Sequence, residues 1–241
     1  MPKNIALKLS IVLIYLRSLK KPIQSCIMRI FNIKFLSSIF FHQSKKTPAE
    51  EYYKVNRDLS LQVAENAKNA GVKQFIFLST FKVYGKLIHP VKINEKSPCL
   101  PNDAYGQSKY EAEIGLAKLE AVNFKVAIIR TPLVYGIGVK ANMLSLLRLV
   151  NKMPVLPFGK LNNNRCYTFV ENLVAFIDRI IEIEANGVFI AMDEKPLSTT
   201  ELVNYISKYL DKRTIFFKIP DVFVRIVSFF FRCNQQPLWI F

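Results

Sequence analysis

Glycine and acidic residues are missing from the beginning of this 241-residue chain. The first of its eight glycines is Gly71, and its first acidic residue is Glu50. Glycine-rich phosphate-binding loops need glycine for the close approach of the backbone to phosphate, so no such loop lies before position 71. Nine lysines and arginines lie in residues 1–49, which therefore carry more than half of the formal net charge of +16.

Cysteine is also scarce, and long hydrophobic runs are absent from the basic beginning of the chain. No two cysteines form a C-x-x-C pair, which predicts neither a zinc site nor a disulfide framework and fits a reducing, cytoplasmic setting. Within residues 1–46 the longest stretch without lysine or arginine is 35–44, far below the roughly 20 apolar residues of a spanning helix. The basic and apolar pattern continues without a small-x-small cleavage site, so we expect no signal peptide.

The strong basic charge raises two classes of partner, nucleic acid and anionic membrane. Its concentration at one end of the chain argues against a nucleic-acid-binding domain, and we expect no nucleic acid partner. A basic amphipathic helix within residues 1–46 that lies on a membrane surface is an alternative, but we do not expect membrane association as the main role.

Regular organisation begins at Thr47, where the sequence T-P-A-E predicts a helix N-terminus with a capping box. The apolar and polar pattern that follows alternates between helices and short, continuously apolar strands, which is typical of a parallel α/β sheet. The predicted helices are 47–71, 103–121, 142–152, 170–183 and 198–210, and the predicted strands are 74–78, 124–129 and 187–192. A second capping box, S-T-T-E, opens the last of these helices.

Tyr105 and Lys109 lie four residues apart in the segment AYGQSKYEAE of a predicted helix. Residues at this spacing share one helical face, so the ammonium would lie one turn from the phenol. A nearby cation favours phenolate, and bringing tyrosine from its usual pKa near 10 to neutrality needs roughly 4 kcal/mol. Such a pair suits proton transfer at an alcohol or sugar hydroxyl. Taken alone, the spacing is more typical of an ordinary exposed helical pair.

Four ordered segments extend this pair into a larger pattern: FLSTFKVYG, AYGQSKYEAE, IIRTPLVYGIG and NRCYTFVENL. Together they resemble the extended short-chain dehydrogenase/reductase family, specifically its NAD-dependent nucleotide-sugar epimerases and dehydratases. The resemblance covers roughly residues 47–215. It implies an α/β fold with an incomplete Rossmann-type parallel sheet, helices on both faces and a small C-terminal substrate lobe.

The resemblance implies roles for three catalytic residues. Tyr105 matches the acid/base tyrosine of the family. Lys109 matches the lysine that bonds the nicotinamide ribose and lowers the pKa of the tyrosine. Thr80 occupies the position of the hydroxyl residue that bonds the reacting sugar oxygen.

Cofactor and substrate contacts follow from the same resemblance. Ser79, Thr131 and Pro132 are implied to contact the cofactor together with the catalytic tyrosine and lysine. Asn142 resembles a substrate-contacting asparagine. Arg165, in the segment N-R-C-Y, resembles the arginine that clamps the nucleotide diphosphate, a task that suits its bidentate guanidinium.

The implied activity is that of an NAD-dependent nucleotide-sugar epimerase, of the UDP-hexose or UDP-N-acetylhexosamine 4-epimerase type, or of a closely related 4-keto-sugar reductase. NAD is the implied cofactor, with NADP as an alternative, and the implied partners are a nucleotide sugar and a second copy in a homodimer. Dehydration is not expected, because Phe81 and Lys82 stand where the dehydratases carry an acidic pair. A catalytically inactive remnant and a nucleotide-sugar-binding protein are the alternatives from a different class.

The chain departs from the family where the cofactor loop belongs. The family opens with a strand and a G-x-x-G-x-x-G loop, whereas no glycine precedes Gly71. We therefore expect an N-terminal truncation, and weak or absent NAD binding. Residues 1–46 are expected to be an atypical basic remnant, 47–138 a partial NAD-binding Rossmann domain, and 139–241 a truncated substrate-binding lobe.

Overall fold

The computed structural model describes residues 34–37, 48–85, 93–136, 141–156, 159 and 165–217. The strands in this part of the chain are β1 (Lys34–Ser37), β2 (Gln74–Thr80), β3 (Lys125–Thr131), β4 (Leu133–Tyr135), β5 (Val155–Leu156), β6 (Tyr167–Phe169), β7 (Gly187–Ile190) and β8 (Ile215–Phe216). The first described helix, α1, is taken up below. The helices that follow it are α2 (Ala104–Leu119), α3 (Ala141–Lys152), α4 (Val170–Glu182) and α5 (Thr199–Tyr209).

The first described helix, α1, contains an irregular segment. It runs as an α-helix over Ala49–Tyr52, as a π-helix over Tyr53–Asp58, and again as an α-helix over Leu59–Asn69. A short 3₁₀ turn, Phe81–Tyr84, follows β2. Neither the π-helical segment nor this turn is indicated by the hydrophobic pattern.

Four of the described strands form one parallel sheet in the order β1-β2-β3-β7. This confirms the predicted α/β class with a parallel sheet. β1 lies inside residues 1–46, where the sequence gives no periodic pattern, and its backbone pairs with β2 from Lys34 opposite Gln74 to Ser37 opposite Phe77.

Successive side chains of a buried strand point to opposite sides, so both faces of the sheet are apolar. Helices cover both faces. Phe75 and Phe77 of β2 pack with Ala64 of α1 and Leu116 of α2 on one face. On the other face the neighbouring β2 side chains pack against α4, in a cluster that contains Ile76, Leu78, Ile129, Leu173, Ile177 and Ile180.

The chain forms two compact units. The first contains the residues up to Val134 together with Thr168–Met192, and the second contains Tyr135–Tyr167 and the residues from Asp193 onward. α4 and β7 lie within residues 139–241, the predicted substrate lobe, but they belong to the first unit, because β7 pairs with β3. The second unit has its own core, formed mainly by α3 and α5 around Leu146, Val150, Leu156, Tyr167, Val203 and Ile206.

The two predicted helix starts have different outcomes. At α5 the capping box is confirmed: the Ser198 hydroxyl accepts from the backbone N–H of Glu201, whose carboxylate accepts from the backbone N–H of Ser198. At α1 the predicted N-cap, Thr47, lies outside the described residues, and Pro48 precedes the first helical residue with an extended backbone. Proline fixes only φ, so its ψ of 147° leaves it outside the helix that it was predicted to begin.

No helix in the described ranges combines the length and the apolar character that crossing a membrane requires.

Candidate active site

The carboxyl ends of β2 and β3 place three predicted site residues at one edge of the sheet. The parallel register sets Ser79 beside Arg130 and Thr80 beside Thr131. The Thr131 hydroxyl donates to the carbonyl of Ser79 at 3.1 Å and so ties the two strand ends together. This is the edge at which open α/β sheets bind ligands.

The helix α2 brings Tyr105 and Lys109 to this edge. The carboxylate of Asp103 caps its N-terminus by accepting from the backbone N–H of Gly106 at 2.6 Å. Gly106 also permits a close approach, since a Cβ atom there would lie 2.7 Å from the carbonyl oxygen of Lys82. The turn after β2 and the first turn of α2 are therefore packed backbone against backbone.

The phenol of Tyr105 is held between the sheet edge and α1. The side chain of Thr80 favours the phenolate and acts to lower the pKa of Tyr105. The Tyr52 ring meets its ring edge to face, with 6.0 Å between the centroids. Burial opposes the phenolate more strongly than Thr80 favours it, and raises the pKa of Tyr105 to about 12.

Lys109 is buried against the backbone of β2, with only 3% of its surface exposed. Its ammonium donates to the carbonyl of Leu78 at 3.1 Å and lies 4.5 Å from the centroid of the Phe77 ring. Burial lowers the pKa of Lys109 to about 8, although the carboxylate of Glu113 acts in the opposite direction. The group is thus poised to change charge near neutral pH.

The implied effect of Lys109 on the phenol of Tyr105 stays a prediction. The resemblance implies that Lys109 lowers the pKa of Tyr105, whereas burial raises that pKa in the protein alone. The Lys109 ammonium donates to the Leu78 carbonyl.

A buried ion pair supports the same strand ends. The carboxylate of Glu113, one turn beyond Lys109 on α2, accepts from the Arg130 guanidinium through Nη2 at 2.7 Å and Nε at 3.2 Å. Glu113 also accepts a hydrogen bond from the Ser79 hydroxyl. Arg130 in turn donates to the phenol oxygen of Tyr84 at 2.9 Å.

Ser79, which is implied to contact the cofactor, takes part in this network with both its side chain and its backbone. Its hydroxyl is committed to Glu113, and its carbonyl accepts from Thr131. Both side chains of the ion pair are nearly inaccessible to solvent, with 6% of the Arg130 side chain and 4% of the Glu113 side chain exposed. Ser79 therefore belongs to a structural network that joins α2 to β2 and β3.

Sequence reasoning missed Glu113 and Arg130. The spacing of Tyr105, Lys109 and Glu113 places all three on one helical face, a signal that was available. Arg130 stands at the end of the apolar run VAII, where a buried cation needs a partner. Nothing in the sequence indicates that these two residues, 17 positions apart, are each other's partners.

A second link joins α1 to α2 behind the phenol. Asn56, which is fully buried in the π-helical segment, donates from Nδ2 to the Ser108 hydroxyl at 3.0 Å. Ser108 donates to the carbonyl of Tyr105 at 2.9 Å. The conformation of the tyrosine backbone is therefore tied to α1.

The remaining predicted residues divide between the two units. Pro132, half-buried, lies between β3 and β4 in the first unit. Arg165 lies in the second unit, where its backbone exchanges hydrogen bonds of 3.0 Å with Leu197 in both directions. Asn142 is the second residue of α3, and its side chain lies outside the part that the structure describes. The structure thus brings together Ser79, Thr80, Tyr105, Lys109 and Thr131.

Comparison with known proteins confirms the family resemblance of the sequence. The model of the NAD dependent epimerase/dehydratase family matches residues 29–190, and the match begins inside the basic first segment of the chain. A UDP-glucose 4-epimerase of Vibrio cholerae is 41% identical over 180 residues, which cover 72% of this chain and 54% of that protein.

A second relative is an N-acetyl-alpha-D-glucosaminyl-diphospho-ditrans,octacis-undecaprenol 4-epimerase of Escherichia coli O157:H7. It is 28% identical over 177 residues, which cover 71% of this chain and 53% of that protein. The chain therefore spans about half the length of these curated relatives.

A solved structure shares the fold. The UDP-glucuronic acid 4-epimerase from Bacillus cereus, crystallised in complex with NAD, superposes with a TM-score of 0.64. The sequences are 18% identical, and the match covers 80% of this chain and 66% of that chain.

Proposed function

Because the chain belongs to the NAD dependent epimerase/dehydratase family, we propose that its site performs the acid/base chemistry of a nucleotide-sugar 4-epimerase. The substrate is a UDP-hexose or a UDP-N-acetylhexosamine. The observation that carries the proposal is the Tyr105 phenol, influenced by the Thr80 side chain at the end of β2, with Lys109 buried one turn away on α2. Both curated relatives are named 4-epimerases, which favours epimerisation over the 4-keto-sugar reduction that the same groups would serve.

The described residues fit one end of NAD. The Lys109 ammonium has three donors, and the Leu78 carbonyl is its single hydrogen-bond acceptor among the described residues, so donors remain for the hydroxyls of the nicotinamide ribose. Tyr105, Thr131 and Pro132 lie near the same strand ends and would line the nicotinamide, with Ser79 supporting them from beneath. The sequence offers no glycine-rich turn before Gly71 for the pyrophosphate, so we propose that binding is weak.

In the proposed reaction Tyr105, as phenolate, takes the proton from the 4-hydroxyl of the sugar. NAD, when bound, supplies the acceptor and then the donor of the hydride at that carbon. Thr80 donates to the sugar oxygen as its negative charge develops, and Tyr105 returns the proton to the same oxygen once the sugar presents its other face. General acid–base catalysis of this kind contributes about 10² to 10⁴ in rate.

Recognition of the nucleotide is assigned to the second unit. Arg165 is proposed to hold the diphosphate, because a guanidinium can bond two phosphate oxygens at once. Asn142, at the beginning of α3, is proposed to contact the substrate. Both assignments follow from the family resemblance at these positions.

The proposal is tested by Tyr105→Phe, assayed with UDP-glucose and UDP-N-acetylglucosamine in the presence of NAD at millimolar concentration. We expect turnover to fall by at least 10²-fold, because the variant has no group to take the proton. Binding of the UDP-sugar, measured by calorimetry, stays within twofold of wild type.

Tyr209→Phe is the matched control, because Tyr209 is 89% exposed on α5. It removes the same hydroxyl group from the surface and leaves turnover unchanged. Full turnover in the Tyr105→Phe variant contradicts the proposal. Binding of the UDP-sugar without turnover in wild type, even with excess NAD, identifies the chain instead as a nucleotide-sugar-binding protein.

A further inference from the structure

Lys82 places a positive charge over the ring of the proposed catalytic tyrosine. Its ammonium lies 5.4 Å from the centroid of the Tyr105 ring, within the range of a cation–π interaction. The same ammonium donates to Asp103 at 2.8 Å, and three quarters of its side-chain surface is buried. Lys82 therefore does not extend into solvent, as a lysine in a turn commonly does.

Both the backbone and the side chain of Lys82 are held in place. Its backbone N–H donates to the hydroxyl of Thr80 at 3.3 Å, and its carbonyl oxygen lies so close to Gly106 that a Cβ atom there would clash. Its side chain is anchored by Asp103, the residue that also caps α2. The turn after β2 and the start of α2 thus hold this ammonium above the phenol.

Two opposite charges therefore act on Tyr105 from its own surroundings. The Asp103 carboxylate opposes the phenolate, whereas an ammonium over the ring favours it. Among the described residues, the other groups that face the phenol are the neutral Tyr52 ring from α1 and the Thr80 hydroxyl from the end of β2. The cation of α2 itself, Lys109, is directed to the Leu78 carbonyl.

We propose that Lys82 is a positioning residue for the acid/base chemistry of Tyr105: held by Asp103, its ammonium favours the phenolate and offsets the charge of the carboxylate that caps the helix. This inference rests on the proposed function for its catalytic meaning. The effect of the Lys82 charge on the titration of Tyr105 needs neither cofactor nor substrate, so it can be tested on the chain alone. It also gives a role to a position where the related dehydratases are expected to carry an acidic residue.

The test measures the titration of residue 105 directly. Tyr105→3,5-difluorotyrosine, introduced by stop-codon suppression, lowers the phenol pKa into a range that the fold tolerates and provides a single ¹⁹F NMR signal. In this background the titration midpoint is compared for the parent, Lys82→Met, Asp103→Asn and the double variant. Asparagine is itself a good N-cap, so Asp103→Asn removes the charge and keeps the cap.

The two single variants are expected to shift the titration midpoint of residue 105 in opposite directions. Lys82→Met raises the midpoint by about 1 pH unit, and Asp103→Asn lowers it by a similar amount. The double variant returns close to the parent, and Lys82→Arg, which keeps the cation, leaves the midpoint unchanged. A loss of packing alone would shift the midpoint of both single variants in the same direction.

An unchanged midpoint in Lys82→Met, or shifts of the same sign in the two single variants, overturns the inference. The titration needs neither NAD nor sugar, so it is independent of turnover. Opposite shifts in a chain without turnover would retain the electrostatic role of Lys82 and reject the proposed function.

Discussion

At the scale of single residues, the site combines a phenol with a raised pKa and an ammonium with a lowered one. Both shifts have the same main cause, which is burial of a group that is charged in one of its forms. Lys109 therefore makes the stability of the fold depend on pH, because its proton affinity differs between the folded and unfolded chains.

The prediction for Lys109 concerns the free energy of unfolding. The folded chain loses this proton near pH 8, whereas the unfolded chain keeps it until about pH 10.5. The unfolded chain binds more protons in that window, so the contribution of Lys109 to stability rises with pH. We expect the stability of wild type relative to Lys109→Met to increase by about 2 kcal/mol between pH 8 and pH 10.

Urea denaturation of the two proteins at several pH values measures this difference. Other titrating groups are shared by both proteins and cancel. Parallel stability curves across the window would show that the ammonium titrates normally in the folded chain.

The sequence could predict the residues that act through a local pattern, but not those that act through a partner distant in sequence. Tyr105 and Lys109 follow from an i, i+4 spacing in a recognisable segment. The Glu113–Arg130 pair and the contact of Lys82 with the Tyr105 ring form only when α2 packs across the ends of β2 and β3. Their pairing is a property of the tertiary fold.

At the scale of elements, α2 contains two glycines that meet different neighbours. A Cβ atom at Gly106 would lie 2.7 Å from the backbone carbonyl oxygen of Lys82, whereas one at Gly115 would lie 2.6 Å from the Cδ2 atom of Leu61. A backbone carbonyl cannot move aside, but the end of a leucine side chain can. Only the first glycine fixes the position of the helix.

We therefore expect Gly106→Ala to lower the free energy of unfolding by about 1 to 2 kcal/mol, because the cost of overpacking exceeds the helix propensity gained. Gly115→Ala should remain within about 1 kcal/mol of wild type, because Leu61 can change rotamer while alanine favours the helix. Urea denaturation followed by circular dichroism measures both. Equal stabilities would mean that the start of α2 adjusts freely.

Elements with strong terminal signals were predicted, and those without them were not. The capping box of α5 and the apolar runs of β2 and β3 gave their approximate bounds. β1 is only four residues long and has no distinctive pattern, so its pairing with β2 was not foreseen. The π-helical segment cannot be predicted from hydrophobic periodicity, because that prediction assumes one helical period throughout.

At the scale of the whole molecule, the proposed acid/base groups and the proposed diphosphate ligand belong to different units. Tyr105, Lys109 and Thr80 lie in the first unit, and Arg165 lies in the second. The groups that are proposed to hold the nicotinamide end of NAD lie in the first unit, but the chain has no glycine before Gly71 for the pyrophosphate.

We expect calorimetric titration of the chain with NAD to give no binding at micromolar concentrations, because the pyrophosphate would lack its usual backbone donors. UDP should bind more tightly than NAD, since its proposed ligand Arg165 is present. A family member that was crystallised with NAD serves as the positive control. Micromolar NAD affinity in this chain would show that other residues replace the glycine-rich loop.

The π-helical segment of α1 determines which side chains before and after it point in the same direction. In an uninterrupted α-helix each residue turns by about 100°, so Tyr52 would point about 120° away from Ala64. A π-helical turn contains roughly one additional residue, which reduces this difference to about 20°. The same helix can therefore bury Ala64 against the sheet and place Tyr52 against the ring of Tyr105. One additional residue in a helical turn thus aligns a core-forming face with a face that contacts the site.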